Sequence, residues 1–336
     1  MNDHTIFSLL VPVYNVENYL ERCLNSIYDQ IKTDCEVVLV DDGSTDNSGT
    51  ICDKYLSRYP HLTHVYHKQN QGAYPTRNFA MDCAHGQYLW FIDPDDYIHP
   101  DAISNIRKSI ETQQNPDVIS AGYCKCNDNW IGEVVNANKE PQSISGEEYL
   151  TRGSFNAYLW ANIYRRDFLL ENHIRFNDQL NTQGDWLFNA QVYADAKTIY
   201  LADYQVYFYF QGNPNSTLNR SDKKHLLRGI ENSMEAQINL LEFLMQRRTT
   251  PVYQPLRRWL SFTSAGLFYS LFHSHHSVDI IKNVLAVYQE KGLYPIGWSN
   301  NKRANVFAIF ANCKWLFLAT CAIRNYLFKR NNKMKW

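Results

Sequence analysis

Residues 85–100 read HGQYLWFIDPDDYIHP. The run YLWFI at 88–92 is apolar enough for a buried strand, and it leads straight into Asp93, Asp95 and Asp96. Several acids at the end of a buried strand are costly unless a cation meets them. In open α/β sheets the carboxyl ends of the strands form the edge where ligands bind. Hard oxygen ligands suit Mg2+ or Mn2+, so the stretch predicts a divalent metal carrying a diphosphate.

Working outward, the neighbouring segments repeat the pattern. Strands are expected at 7–13 (FSLLVPV), 36–40 (EVVLV) and 62–67. Helices are expected at 16–30, from the TDNS cap at 45–48 to residue 59, and at 75–84. This alternation predicts a parallel sheet with right-handed crossovers. Beyond it, strands are expected at 117–125 and 132–136, and a short helix at 146–152 capped by Ser145. A strand or turn should then lead into a helix across 160–172, with a helix at 185–194 and two short strands within 198–209. From 222 onward the strand signals stop, and 223–246, 252–272 and 278–291 read as amphipathic helices. The expected domains are therefore 1–220 and 221–336, with the boundary near Arg220.

The chain has 336 residues, 45% hydrophobic and 20% charged, an ordinary globular composition. Its net charge of −1 excludes an overall polybasic nucleic-acid binder. Of eight cysteines only Cys124 and Cys126 are close, a poor zinc signal. Buried free thiols in a reducing, cytoplasmic setting are expected. The first residues are polar and give way at once to a strand, so no secretory leader is expected.

Parallel strands bring three groups to one edge: Pro12, Tyr14, Asn15 and Glu17 after the first, Asp41, Asp42 and Ser44 after the second, and the acids at 93–96 after the fourth. Asp41 can accept the imide N–H of uracil, Tyr14 can flank a base, and Arg77 can support a nucleotide's charge. A dinucleotide-binding G-x-G-x-x-G would follow the first strand, where Val11-Pro12-Val13-Tyr14 stands instead, and no P-loop occurs. Metal and acids, rather than a glycine loop, must then meet the phosphates.

Four stretches, FSLLVPVYNVENYLERCLNSI, VVLVDDGSTDNS, NQGAYPTRNFAMDCAHGQYLWFIDPDDYI and GDWLFN, occur in order. Together they resemble the family 2 glycosyltransferases, inverting enzymes of surface polysaccharide synthesis, over about residues 6–219. The resemblance implies the GT-A fold, a Rossmann-like mixed α/β sheet flanked by helices, followed here by an α-helical C-terminal region. It implies a nucleotide-sugar half at about 1–100 and an acceptor half at about 101–220. It also implies a nucleotide-sugar donor such as a UDP-sugar, Mn2+ or Mg2+, and a glycan or lipid-linked glycan acceptor. Pro12, Tyr14 and Glu17 fall on the family's first nucleotide-binding stretch, Asp41 on its uracil-contacting acid with Asp42 beside it, and Arg77 on the arginine of its R-N segment. Asp93 and Asp95 fall on the D-x-D pair, the first near ribose or metal-bound water and the second on the metal; Asp96 has no fixed role. Asp185 falls on the catalytic base, but Gly184 replaces the usual preceding glutamate, which puts acceptor contacts in doubt.

Two other readings are a sugar nucleotidyltransferase, which relies on a glycine-rich loop with arginine that this chain lacks, and a non-catalytic carbohydrate-binding protein. Tyr158, Trp160 and Trp186 are candidate platforms for sugar rings. His273, His275 and His276 read as solvated loop histidines. The tail has an apolar run at 305–323 interrupted by Lys314, and holds eight Lys/Arg and no acid from 302 to 336. An apolar face with a basic flank fits a helix lying on an anionic membrane at the inner face of the cell.

Overall fold

The computed structural model describes residues 5–135, 138, 140–153, 155–216, 223–274 and 276–333. The expected boundary at Arg220 and the histidine at 275 lie outside them. The chain divides into two compact units, Met1–Ser221 and Asp222–Trp336.

In the first unit β1 (Phe7–Val13), α1 (Glu17–Tyr28), β2 (Cys35–Asp41), α2 (Ser48–Arg58), β3 (Thr63–His67), α3 (Ala73–Cys83) and β4 (Tyr88–Phe91) alternate. The four strands pair in the parallel order β3-β2-β1-β4. All seven positions of β2 and all four of β4 are buried, as a sheet covered on both faces requires. α1 sets Leu20, Cys23, Leu24 and Ile27 against that sheet.

The chain continues through β5 (Tyr97–Ile98), α4 (Ala102–Thr112), β6 (Val118–Asn127), β7 (Trp130–Val135), β8 (Gln142–Ile144) and α5 (Gly146–Thr151). Ser145 caps α5 by accepting from Glu148 N–H at 3.1 Å. After a 3-10 turn, β9 (Asn162–Arg165), α6 (Arg166–Glu171), α7 (Gly184–Asp195) and β10 (Ile199–Phe210) complete the unit. β9 lies antiparallel between β4 and β6, which makes the sheet mixed. The two short strands expected within 198–209 are one strand: β10 stays paired to β6, and its register shifts around Gln205 accommodate the polar stretch at Asp203–Gln205. The bulged strand delivers Tyr207 and Phe210 beneath the acids of 93–96.

The second unit is helical: α8 (Lys223–Met245), α9 (Tyr253–His273), α10 (Val278–Glu290), α11 (Lys302–Asn312) and α12 (Lys314–Lys333). Leu256, Phe268, Leu285, Tyr288 and Phe317 are buried within it. The single helix expected across 305–323 is broken, with α11 and α12 bent by 94°. Asn312 explains the break. Its side chain accepts from Ile296 N–H at 2.8 Å and donates to Ile296 O at 2.9 Å, while Tyr294 donates to its carbonyl at 2.7 Å. Those bonds satisfy the end of α11 and turn the chain away. Among the described residues no single helix is long and apolar enough to cross a membrane.

Candidate functional site

The turns after β1 and β2 are laced together. Asn15 N–H donates to Ser44 Oγ (3.1 Å), Val16 N–H to Ser48 Oγ (2.9 Å) and Glu17 N–H to Asp46 Oδ2 (3.1 Å). In return the backbone N–H and side-chain amide of Asn47 donate to Glu17 Oε2 at 2.9 and 2.7 Å. Glu17 is thus a brace between the turns. Asn15 takes a left-handed conformation, φ +51°, which asparagine tolerates, and Thr45 N–H donates to its side chain. Pro12 sits within β1 opposite Val40, and the Tyr14 ring is left 45% exposed.

Asp41 and Asp42 are both buried and both engaged. Asp41 Oδ1 accepts from Ser44 N–H (2.9 Å), and its Oδ2 lies 2.8 Å from His67 Nδ1. Burial pushes this carboxyl up, but the bonds to Ser44 and His67 outweigh it and hold it below the usual range. His67 is raised in turn, first by its bond to Asp41 and then, against burial, by Asp53. Asp42 accepts from Lys68, from Gln71 N–H (2.9 Å) and from Gly72 N–H (2.8 Å), tying β2 to the entry of α3.

Arg77, on the first turns of α3, does not face open solvent as a nucleotide support would. Its guanidinium is buried, donating to Asp93 Oδ1 at 2.8 Å and to Asp185 Oδ1 at 2.7 Å across 108 residues of sequence. The rings of Tyr74 and Phe176 lie within 6 Å of it, at 5.5 and 5.7 Å. Burial disfavours its charge, but the two carboxylates more than restore it. Asp185 opens α7 with 36% of its side chain accessible, and only its Oδ1 is bonded to Arg77. The surrounding protein nevertheless desolvates it. That raises its pKa against the pull of Arg77, and Asp93 adds to the rise.

The D-x-D acids are held from below. Tyr207 accepts from Asp93 N–H at 2.9 Å, Asn213 donates to Asp95 Oδ2 at 2.8 Å, and Arg22 donates to the Asp95 carbonyl at 2.8 Å. Asp96 Oδ1 accepts from Phe210 N–H at 2.7 Å, while its Oδ2 is buried without a partner. Burial raises Asp95, and Asp93 adds to it; Asp96 is raised well above the carboxylate range by burial, then by Asp95 and Asp93. Crowded, desolvated acids with an orphaned oxygen suit a divalent cation. Among the described residues no three acids, histidines or cysteines form a closed cage. A site of one or two carboxylates completed by phosphate oxygens is what Mg2+ takes, so the donor set fits.

Arg22, Tyr74, Tyr207 and Asn213 also belong to this site; Arg22 and Tyr74 lie inside the quoted stretches without being singled out, and Tyr207 and Asn213 lie outside them. Of the proposed platforms, Trp160 and Trp186 are core, 4% and 8% exposed, because Trp160 packs face to face with Tyr207 and Trp186 bonds Gln183. Tyr158, stacked on Trp160 at 4.8 Å, is the exposed end of that ladder. Cys124 and Cys126 bond Gln205 and the Tyr209 carbonyl, and every cysteine is a free thiol.

The sequence profile described as Glycosyl transferase family 2 matches residues 8–193. The chain belongs to that family. Among curated relatives, the uncharacterized glycosyltransferase EpsJ of Bacillus subtilis is 29% identical over 63% of this chain and 62% of its own length. The poly(ribitol-phosphate) beta-N-acetylglucosaminyltransferase TarS of Staphylococcus aureus is 31% identical over 60% of this chain and 35% of its own. This chain therefore spans less than two thirds of these relatives. In structure it resembles S. aureus TarS 1–349 in complex with UDP-GlcNAc, with TM-score 0.69 and 20% identity over 97% of this chain and 92% of that one. A mannosyltransferase of Pyrobaculum calidifontis in complex with GDP-Man and Mn2+ matches at TM-score 0.51 and 16% identity, over 95% and 86%. These likenesses establish the GT-A fold.

Membership of family 2 sharpens the departure at Gly184. A Cβ there would meet the Tyr74 ring at 2.5–2.8 Å. That ring is 4% exposed, stacked on Phe176, and accepts from Gly184 N–H at 2.8 Å. Tyr74 therefore fills the space a side chain at 184 would need. Gly184→Ala should destabilise the chain by about 1–3 kcal/mol, and by clearly less in a Tyr74→Ala background. Denaturant unfolding of the four variants measures this coupling.

The Asp41–His67 pair gives a pH signature. A raised histidine contributes fully below its unfolded value of 6.5, and its contribution is lost as pH climbs through the folded one. A lowered aspartate contributes above 3.8 and is lost as pH falls through its folded value. Wild type should thus lose a small advantage over His67→Gln, below about 1 kcal/mol because the imidazole is half exposed, as pH rises above 6.5. Parallel melting curves across that range would contradict it.

Proposed function

We propose that this chain is an inverting, metal-dependent transferase that moves a hexosyl or N-acetylhexosaminyl group from a UDP-sugar to a hydroxyl of a glycan or lipid-linked glycan in surface polysaccharide synthesis. The observation that carries this reading is Arg77 holding Asp93 and Asp185 on one guanidinium, which sets a D-x-D acid beside a desolvated carboxylate. The relative complexed with UDP-GlcNAc supports the donor class. Residues 1–100 act as the nucleotide-sugar half and 101–220 as the acceptor half, with the free thiols favouring a reducing cytoplasmic site.

Tyr14 flanks the base and Asp41 accepts its imide N–H through lone pairs not used by Ser44 and His67. Pro12, Glu17 and Asp42 hold the turns that present them. Asp93 and Asp95 would hold Mn2+ or Mg2+, which when bound neutralises charge on the departing diphosphate. Arg77 keeps Asp185 oriented through Oδ1, leaving Oδ2 to take the proton of the acceptor hydroxyl. The hydroxyl oxygen then bonds the anomeric carbon from the face opposite the breaking C–O bond, whose electron pair leaves on the diphosphate. One displacement inverts the centre.

UDP release assayed with and without Mn2+ and acceptor tests the reading; a sugar nucleotidyltransferase would instead release pyrophosphate from a nucleoside triphosphate, and a binding protein would release nothing. Asp185→Asn should lower turnover by about 10²–10⁴-fold while binding UDP as wild type does. In wild type the acid limb of the pH–rate profile should lie above 3.8, since burial raises Asp185. Asp95→Asn should remove the Mn2+ dependence of UDP affinity seen by calorimetry; unchanged dependence would take Asp95 off the metal.

A further inference from the structure

α12 buries Phe317, Leu318 and Cys321 against its own unit and leaves the opposite stripe bare. Along that stripe Trp315 is 82% exposed, Ile323 61% and Tyr326 66%, with Leu316 and Leu327 beside them. These positions recur at helical spacing down one face. Its rotation is fixed from behind. Arg324 turns inward to donate to the carbonyls of Phe272 and His273 and lies 4.7 Å from the Phe272 ring, and Asn325 donates to His276 O at 2.6 Å. Around the bend α11 adds the exposed Val306 and Ile309.

The charged residues of α11 and α12 themselves have one sign. Lys302, Arg303 and Arg330 are exposed, and residues 302–336 contain eight Lys/Arg and no acid. We propose that α11 and α12 dock on an anionic lipid bilayer, lying in its interface with the apolar stripe inserted and the basic groups at the headgroups. The occupant follows from complementarity. A second copy would bring an equally basic tail against this one, whereas anionic lipid supplies the opposite charge and an apolar layer together. Exposed tryptophan and tyrosine sit well at that depth. The 94° bend, held by Asn312, presents two short helices rather than one long span.

The test is sedimentation of the full chain with phosphatidylcholine vesicles, with and without phosphatidylglycerol. Binding should require phosphatidylglycerol and reverse in high salt. Trp315→Glu combined with Ile323→Glu should abolish it, and Lys302→Gln and Arg330→Gln should each weaken it about fivefold. All four side chains are exposed, so melting temperatures should not move. Binding equal on neutral vesicles, indifference to the glutamate pair, or resistance to alkaline carbonate extraction would each overturn the proposal. So would a dimer by light scattering that the glutamate pair dissociates.

Discussion

A buried guanidinium shared by two carboxylates is the constraint on which the first unit turns. Arg77 is drawn out of water between Asp93 and Asp185, and the two acids together offset its desolvation. The arrangement requires α3, the loop after β4 and the start of α7 to meet at one point. α3 is held there by Asp42, which grips Gln71 and Gly72, and by Asn78, which binds Phe176 and Asp178. The loop after β4 is set by Tyr207 and Phe210 of β10. Much of the mixed half of the sheet therefore serves to bring one acid and one base candidate to the same cation.

The electrostatics of the site are unbalanced by design of the chain's own residues. Asp93 has Arg77, whereas the side chain of Asp95 takes a neutral amide from Asn213, and Asp96 keeps a buried Oδ2 without a hydrogen-bond partner. Burial and mutual repulsion favour protons on the latter two. A cation held among these acids would relieve that repulsion.

The parallel half of the fold was legible because β1, β2 and β4 are largely apolar runs, two of them leading into acids, and its helices carry plain periodicity. Asp93 and Asp95 could be placed at the ligand edge because the topology of such sheets is restricted, whereas Asp185 is reached only through the resemblance to family 2. What the sequence did not carry were contacts made by residues with no pattern of their own. Arg22 and Asn213 reach the D-x-D backbone and side chain from α1 and from beyond β10, and nothing in their spacing marks them. The stretch 198–209 reads as two short strands, yet backbone pairing to β6 carries β10 through as one. The apolar tail read as one helix because the side-chain bracket of Asn312 onto Ile296 is tertiary. The bond of Arg77 to Asp185 has no local signal, since it depends on α7, far along the chain.

The exchange between Tyr74 and Gly184 also bears on how such a site can be reached by single steps. In this chain a glutamate at 184 would need the space that the Tyr74 ring holds, because even a Cβ there stands 2.5 Å from the ring. Growing the tyrosine first would force two side chains into one volume. Emptying position 184 first leaves only a void, which the ring can then fill while its hydroxyl accepts from the bared backbone N–H. One order of the two changes is therefore easier than the other. From this chain, glutamate at 184 is costly until the ring is removed.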